Sequence, residues 1–95
     1  MNIIPPDTLS SFKTENPDWK ELDGKLEAHF AFKDFISAFS FLNGVALLSE
    51  KMNHHPEIYN VYNKVTLKLS THDAGDQITD KDLELAKEIS NFYSR

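Results

Sequence analysis

The chain has 95 residues, 40% of them hydrophobic, with a net charge of −5 and no cysteine, which describes one globular domain over 1–95 that buries about 60–65% of its unfolded surface without covalent staples. Without thiols there is no disulfide framework, thiolate nucleophile or cysteine zinc site, and the acidic balance argues against nucleic acid or an anionic membrane as a direct partner. Met1 to Pro6 lacks the basic start and apolar run of a signal peptide, and no stretch approaches the ~20 apolar residues of a membrane span, so a soluble cytoplasmic protein is expected.

Pro5-Pro6-Asp7-Thr8 opens a short helix over 7–14, which Asn16-Pro17 ends. Trp19-Lys20-Glu21-Leu22 reads as a strand and Asp23-Gly24 as a hairpin turn. Leu26, Ala28, Phe30 and Phe32 then alternate with Lys25, Glu27, His29 and Ala31, the period of a half-buried second strand. At Asp34 the period becomes helical and stays so to Met52. One apolar stripe of this helix holds Phe35, Phe39, Leu42 and Ala46; a second, beside it, holds Ala38, Phe41, Val45, Leu48 and Met52. The combined arc is wider than the ~100° that covers one sheet face. The 34–52 helix is therefore expected to join a second copy in a homodimer or homotetramer, with Phe41 and Val45 of the second stripe at the contact. Gly44 argues against the helix, since glycine costs about 1 kcal/mol there relative to alanine.

Pro56 stops the helix and biases His55 toward an extended backbone. Strands are predicted over 58–62 and 65–71, joined by a tight turn at Asn63-Lys64, and Asp73-Ala74-Gly75-Asp76 reads as a loop. Thr79-Asp80-Lys81-Asp82 resembles a capping box with aspartate in place of glutamate, opening a last helix over 80–92. The order α-β-β-α-β-β-α implies an α+β fold, a four-stranded antiparallel sheet with helices packed on one face.

Three of the four histidines fall into two short segments, His54-His55-Pro56 and Ser70-Thr71-His72-Asp73. Imidazole, with an unperturbed pKa of about 6.5, both gives and takes protons near neutrality. A helix end packed beside a strand end brings all three rings to one cleft, with Asp73 and Asp82 near enough to His72 to orient it. On chemistry alone two readings stand side by side: a histidine-lined proton-transfer site, and a helix stop with a strand-end histidine. His29 reads as a surface residue on the polar strand face, and Trp19 as a packing residue.

Glu50-Lys51-Met52-Asn53-His54-His55-Pro56-Glu57, Tyr59-Asn60-Val61-Tyr62-Asn63-Lys64-Val65, Leu69-Ser70-Thr71-His72 and Asp82 together resemble the signature of pterin-4a-carbinolamine dehydratases. Phe32-Lys33-Asp34-Phe35 and Gly44-Val45-Ala46 also look like that family, and the resemblance runs from about Trp19 to Ile89. It implies removal of water from a 4a-hydroxytetrahydropterin to give quinonoid dihydropterin. That reaction recycles the tetrahydropterin of aromatic amino-acid hydroxylases, a functional link the resemblance carries with it. It implies that His54 and His72 donate and accept protons while His55 positions the pterin. Glu50 and Asp82 would orient or tune the rings, Asp82 reading equally as a capping-box residue. The Ser70-Thr71 backbone would hydrogen-bond the pterin edge. No metal or organic cofactor is implied, because the elimination moves only protons. Two other classes remain: a non-catalytic dimerisation or transcriptional-cofactor module, since relatives in animals serve as one, and a metal site built from His54, His55, His72 and an aspartate.

Overall fold

Two hairpins and the long helix between them set the architecture. The computed structural model describes residues 2–94; the two ends of the expected domain, Met1 and Arg95, lie outside the described residues. Strands β1 (Trp19–Leu22), β2 (Lys25–Ala31), β3 (Glu57–Val61) and β4 (Lys64–Leu69) pair antiparallel in the order β1-β2-β4-β3. Helices α1 (Pro6–Glu15), α2 (Phe35–Met52) and α3 (Asp80–Tyr93) complete the α-β-β-α-β-β-α succession, with a single 3-10 turn at His72–Ala74 after β4. The expected fold class and element order are therefore those observed. No described helix is long and apolar enough to cross a membrane.

The alternation read in β2 puts Leu26, Ala28 and Phe30 into the core beside Val65, Leu67 and Leu69 of β4. Trp19 is buried among them, and its indole N–H donates to Ser90 Oγ at 2.8 Å, tying β1 to α3. Asp23 and Gly24 both take positive φ, 53° and 76°, the backbone that a two-residue hairpin matched to strand twist requires.

The second hairpin departs from expectation by one residue. Its turn is Tyr62-Asn63, not Asn63-Lys64, so Val61 pairs with Lys64 and Tyr62 carries the positive φ of 51°. The reason lies across the sheet. Asn63 is bonded both ways to Phe32, its carbonyl accepting from the Phe32 amide at 2.9 Å and its side-chain amide donating to the Phe32 carbonyl at 2.8 Å. That clamp holds Asn63 in the turn and starts β4 at Lys64. At its other end β4 stops at Leu69, not Thr71, and the expected loop after it begins with the 3-10 turn.

Asp34 caps α2, accepting from the Ser37 amide at 2.8 Å, and this bond holds its carboxyl below the usual carboxylate range. The division of the helix surface reverses the expectation. Ala38, Phe41, Leu42 and Val45 are core residues, Val45 fully so. The stripe holding Phe41 and Val45 is therefore the face turned inward, and it is not an association surface. Exposed instead are Ile36 at 75%, Phe39 at 58% and Leu47 at 69%, with Phe35 half exposed beside them.

Gly44 finds its reason in α3. A Cβ there would lie 2.1 Å from the tip of the Phe92 ring, which stacks on Phe41 with centroids 5.8 Å apart. Gly44→Ala should therefore lower the melting temperature, although alanine is the better helix former by about 1 kcal/mol. Forcing Phe92 off Phe41 costs about 1–3 kcal/mol as overpacking and outweighs the propensity gain. Thermal denaturation of the variant decides it, and a rise in Tm would mean that Phe92 rotates away at no cost.

Candidate functional site

The end of α2 aims the first histidine. Asn53 takes the left-handed conformation (φ 50°), and the His54 amide donates to the Ser49 carbonyl at 3.0 Å, a Schellman closure that turns the chain sharply off the helix. Pro56 then releases the chain into β3. Across from this corner, Thr71 pairs with Gln77 in a bridge that folds the segment after β4 back on itself, and α3 begins at Asp80. Helix end, strand end and helix start thus meet at one place.

Between them lies an open cleft of about 310 Å³, lined by His54, His55, Ser70, Thr71 and His72. Asn53, Asp73 and Lys81 complete the lining. The volume falls at the lower end of the range for small-ligand sites, room for a bicyclic heterocycle. A somewhat larger cleft of about 380 Å³ runs between α2 and α3 past Met52 and Lys87, but no histidine reaches it. Glu50 and Asp82 are not on the lining; each reaches the cleft through an imidazole.

Each cleft histidine has its own carboxylate, in three grades of burial. His54 Nε2 lies 2.5 Å from Asp82 Oδ1, with the His54 side chain 10% exposed and Asp82 fully buried. His55 Nε2 lies 2.5 Å from Glu50 Oε2, an exposed pair in which water competes strongly. His72 Nδ1 lies 3.3 Å from Asp76 Oδ1, also in the open. The expectation that Asp73 and Asp82 flank His72 is corrected here. Asp82 belongs to His54, because the antiparallel order sets the start of α3 under the end of α2, and Asp76 takes the place beside His72.

Asp82 is held from the other side as well. Its Oδ2 accepts from the Thr79 amide at 2.8 Å, closing the capping box, and from Thr71 Oγ1 at 2.9 Å. Two donors on one oxygen are the bonds that a carboxylate, an acceptor only, takes. An ionised carboxylate only accepts, so the His54 N–H on that side sits at Nε2 and donates. Nδ1 then keeps the ring's lone pair. It has no partner among the described residues and is not sealed off from solvent. His54 thus presents an unpartnered ring nitrogen, and His55 and His72 line the same cleft.

The aspartate capping box and Glu50–His55 follow motifs visible in the chain. The Thr71 hydroxyl, Lys81 and the His72–Asp76 pair were not anticipated. For the last a signal existed, since Asp76 lies four residues after His72. Among the described residues, no three His, Asp or Glu side chains converge in an arrangement that holds a metal ion. His29 lies on the outer sheet face as expected, but it is not idle there: its ring contacts Glu27 at 2.7 Å and Thr66 at 3.1 Å, bridging β2 to β4.

An imidazole backed by a buried carboxylate, at a polar cleft with two more imidazoles on an α+β scaffold, is an arrangement chemically able to move protons. Comparison with known proteins gives that arrangement its family. The sequence profile of the family described as pterin 4 alpha carbinolamine dehydratase matches residues 4–92. A provisionally named pterin-4-alpha-carbinolamine dehydratase of Prochlorococcus marinus (strain NATL2A) is 45% identical over 94 residues, covering 99% of this chain and 98% of the relative. Another such protein, from Solibacter usitatus, is 48% identical over 81 residues, covering 85% and 84%. Among solved structures, a transcriptional coactivator/pterin dehydratase from Brucella melitensis superposes with a TM-score of 0.89 at 31% identity, covering 97% of this chain and 99% of that one. A pterin dehydratase-like RuBisCO assembly factor of the alpha-carboxysome shares the fold, with a TM-score of 0.69 at 23% identity over 80% and 89% of the two chains. The chain belongs to the pterin-4a-carbinolamine dehydratase family.

Proposed function

We propose that this protein dehydrates a 4a-hydroxytetrahydropterin to quinonoid dihydropterin and water, in the recycling of a tetrahydropterin oxidised by an aromatic amino-acid hydroxylase. The observation that carries the reading is the buried His54–Asp82 pair at a cleft shared with His55 and His72. In the elimination the C4a–O bond breaks and the hydroxyl leaves as water after taking a proton. The N5–H bond breaks at the neighbouring atom, its electron pair forming the C4a=N5 double bond. His54, with Nδ1 unprotonated, takes the N5 proton, and His72 as imidazolium delivers the other to the hydroxyl. His55, held by Glu50, positions the ring, and the backbone at Ser70 offers hydrogen bonds to its edge; the backbone of Thr71, expected to share that task, is taken up instead, its N–H by the Gln77 carbonyl and its carbonyl by the Ala74 and Asp76 amides. The protein returns to its starting state once one proton passes from His54 to His72 or through solvent.

The test adds purified protein to a hydroxylase turning over its tetrahydropterin and follows decay of the 4a-hydroxy intermediate by absorbance. The decay should accelerate in proportion to added protein; an unchanged rate would sink the reading. Exhaustive chelation should leave that acceleration intact, since only protons move, whereas a loss restored by one particular ion would point to a metal site.

We also propose that a second copy packs on the outer face of α2, giving a homodimer or homotetramer in the cytoplasm. The exposed apolar residues Ile36, Phe39 and Leu47 support this, because soluble monomers rarely carry such a stripe. A non-catalytic role as an interaction module draws support from the same stripe and from the coactivator function named for the Brucella melitensis relative. The absorbance assay separates the two readings.

A further inference from the structure

The hydrogen bonds behind Asp82 run in one direction only. Thr71 Oγ1 donates to Asp82 Oδ2 at 2.9 Å, and a hydroxyl has a single proton to give. At its 2.6 Å contact with Thr79 Oγ1, Thr71 therefore accepts, and Thr79 is the donor. Thr79 Oγ1 in turn accepts from the Lys81 amide at 3.3 Å. The chain runs from the Lys81 N–H through Thr79 and Thr71 to the carboxylate, and the carboxylate ends it. Thr71, Thr79 and Asp82 are all buried, and no buried side-chain oxygen or nitrogen in the described residues lacks a partner.

We propose that Thr71 and Thr79 are positioning residues for His54: their hydroxyls form a directed relay that fixes the Asp82 carboxylate and, through it, the ring's N–H at Nε2. The inference deepens the dehydratase reading and rests on it for any effect on turnover. Its structural core, the tautomer of His54, stands apart from that reading. Asp82 accepts two donors at Oδ2 and turns only Oδ1 to the ring. It leaves His54 a single way to bond, with the lone pair at Nδ1. Removing the Thr71 hydroxyl leaves Oδ2 short of a donor. The carboxylate loses one of its two anchors, so it no longer holds the ring in one position and the ring is free to swing.

The experiment is nitrogen-15 NMR of the histidine side chains in the full chain, wild type and variants, beside the absorbance assay across pH. Wild-type His54 should show the Nε2–H tautomer alone when neutral. Thr71→Val keeps the shape and removes the hydroxyl; it should give a mixture of tautomers and alter the pH profile of kcat/KM. At neutral pH it should lower kcat/KM by about ten- to a hundredfold, the scale of one hydrogen bond to a charged group. Thr71→Ser restores the donor and should recover both signals. Should Thr71→Val fail to fold, the wild-type spectrum still decides, since an Nδ1–H tautomer at His54 overturns the relay outright. A single Nε2–H tautomer and an unmoved pH profile in folded Thr71→Val would overturn it equally. A tautomer change in a protein with no dehydratase activity would uphold the relay and remove the proposed function instead.

Discussion

His54→Ala is expected to lower dehydration turnover by about 10²–10⁴-fold wherever its proton transfer limits the rate, the range for a positioned general acid or base. His72→Ala should fall in the same direction, and the double variant should be the more severe because each ring masks part of the other's loss. His55→Ala should raise the apparent KM more than it lowers kcat, the mark of lost uniform binding. His29→Ala, on the far sheet face, should do neither. Burial grades the folding cost of the same changes. His54 sits against a fully buried carboxylate, so its removal leaves Asp82 without one of its donors, while His55 and His72 sit in exposed pairs. Steady-state kinetics with circular dichroism on each variant reads both effects. Near-normal turnover in folded His54→Ala/His72→Ala would end the acid–base account and leave the interaction module as the better one.

Two charge substitutions on α2 should have opposite outcomes. Phe39→Glu places a carboxylate on the exposed stripe and should yield a folded protein of smaller size by light scattering than the wild type. Val45→Glu places one where no side-chain surface is exposed. An unpaired charge there costs several kcal/mol, a large part of the 5–15 kcal/mol that holds an ordinary domain together. Its expected result is loss of the cooperative thermal transition rather than dissociation. A wild type that is monomeric at micromolar concentration would remove the second-copy proposal, and a folded Val45→Glu would contradict the burial of that face.

Local chemistry made most of the fold legible. The alternation in β2, the Asp23-Gly24 turn, the aspartate cap of α2 and the Thr79-Asp82 box are each decided by residues a few positions apart. What escaped depends on distant partners. Both stripes of α2 are apolar, and nothing within the helix says which one α3 and the sheet cover. The choice rests on contacts such as Phe41 on Phe92. The second turn shifted because Phe32, a strand away, holds Asn63. The site divides the same way. Its three histidines stand out as a pattern, yet the carboxylate serving His54 lies 28 residues away and reaches it only through the sheet order. Thr71 was read for its backbone alone, since no spacing rule reveals a buried hydroxyl facing a helix cap.

One side chain answers to two demands at once. Asp82 closes the first turn of α3 and also receives the His54 ring. Asp82→Ala removes the N3 partner of the Thr79 capping box and orients no imidazole thereafter. Selection for a folded chain therefore preserves this aspartate whether or not the chemistry persists. In a descendant that had abandoned catalysis for a purely architectural career, the carboxylate would still be there, guarding the helix. His55 and His72, in exposed pairs, carry no such second duty. They, rather than the buried His54 and Thr71 behind them, are where the loss of an ancestral reaction would first leave its trace.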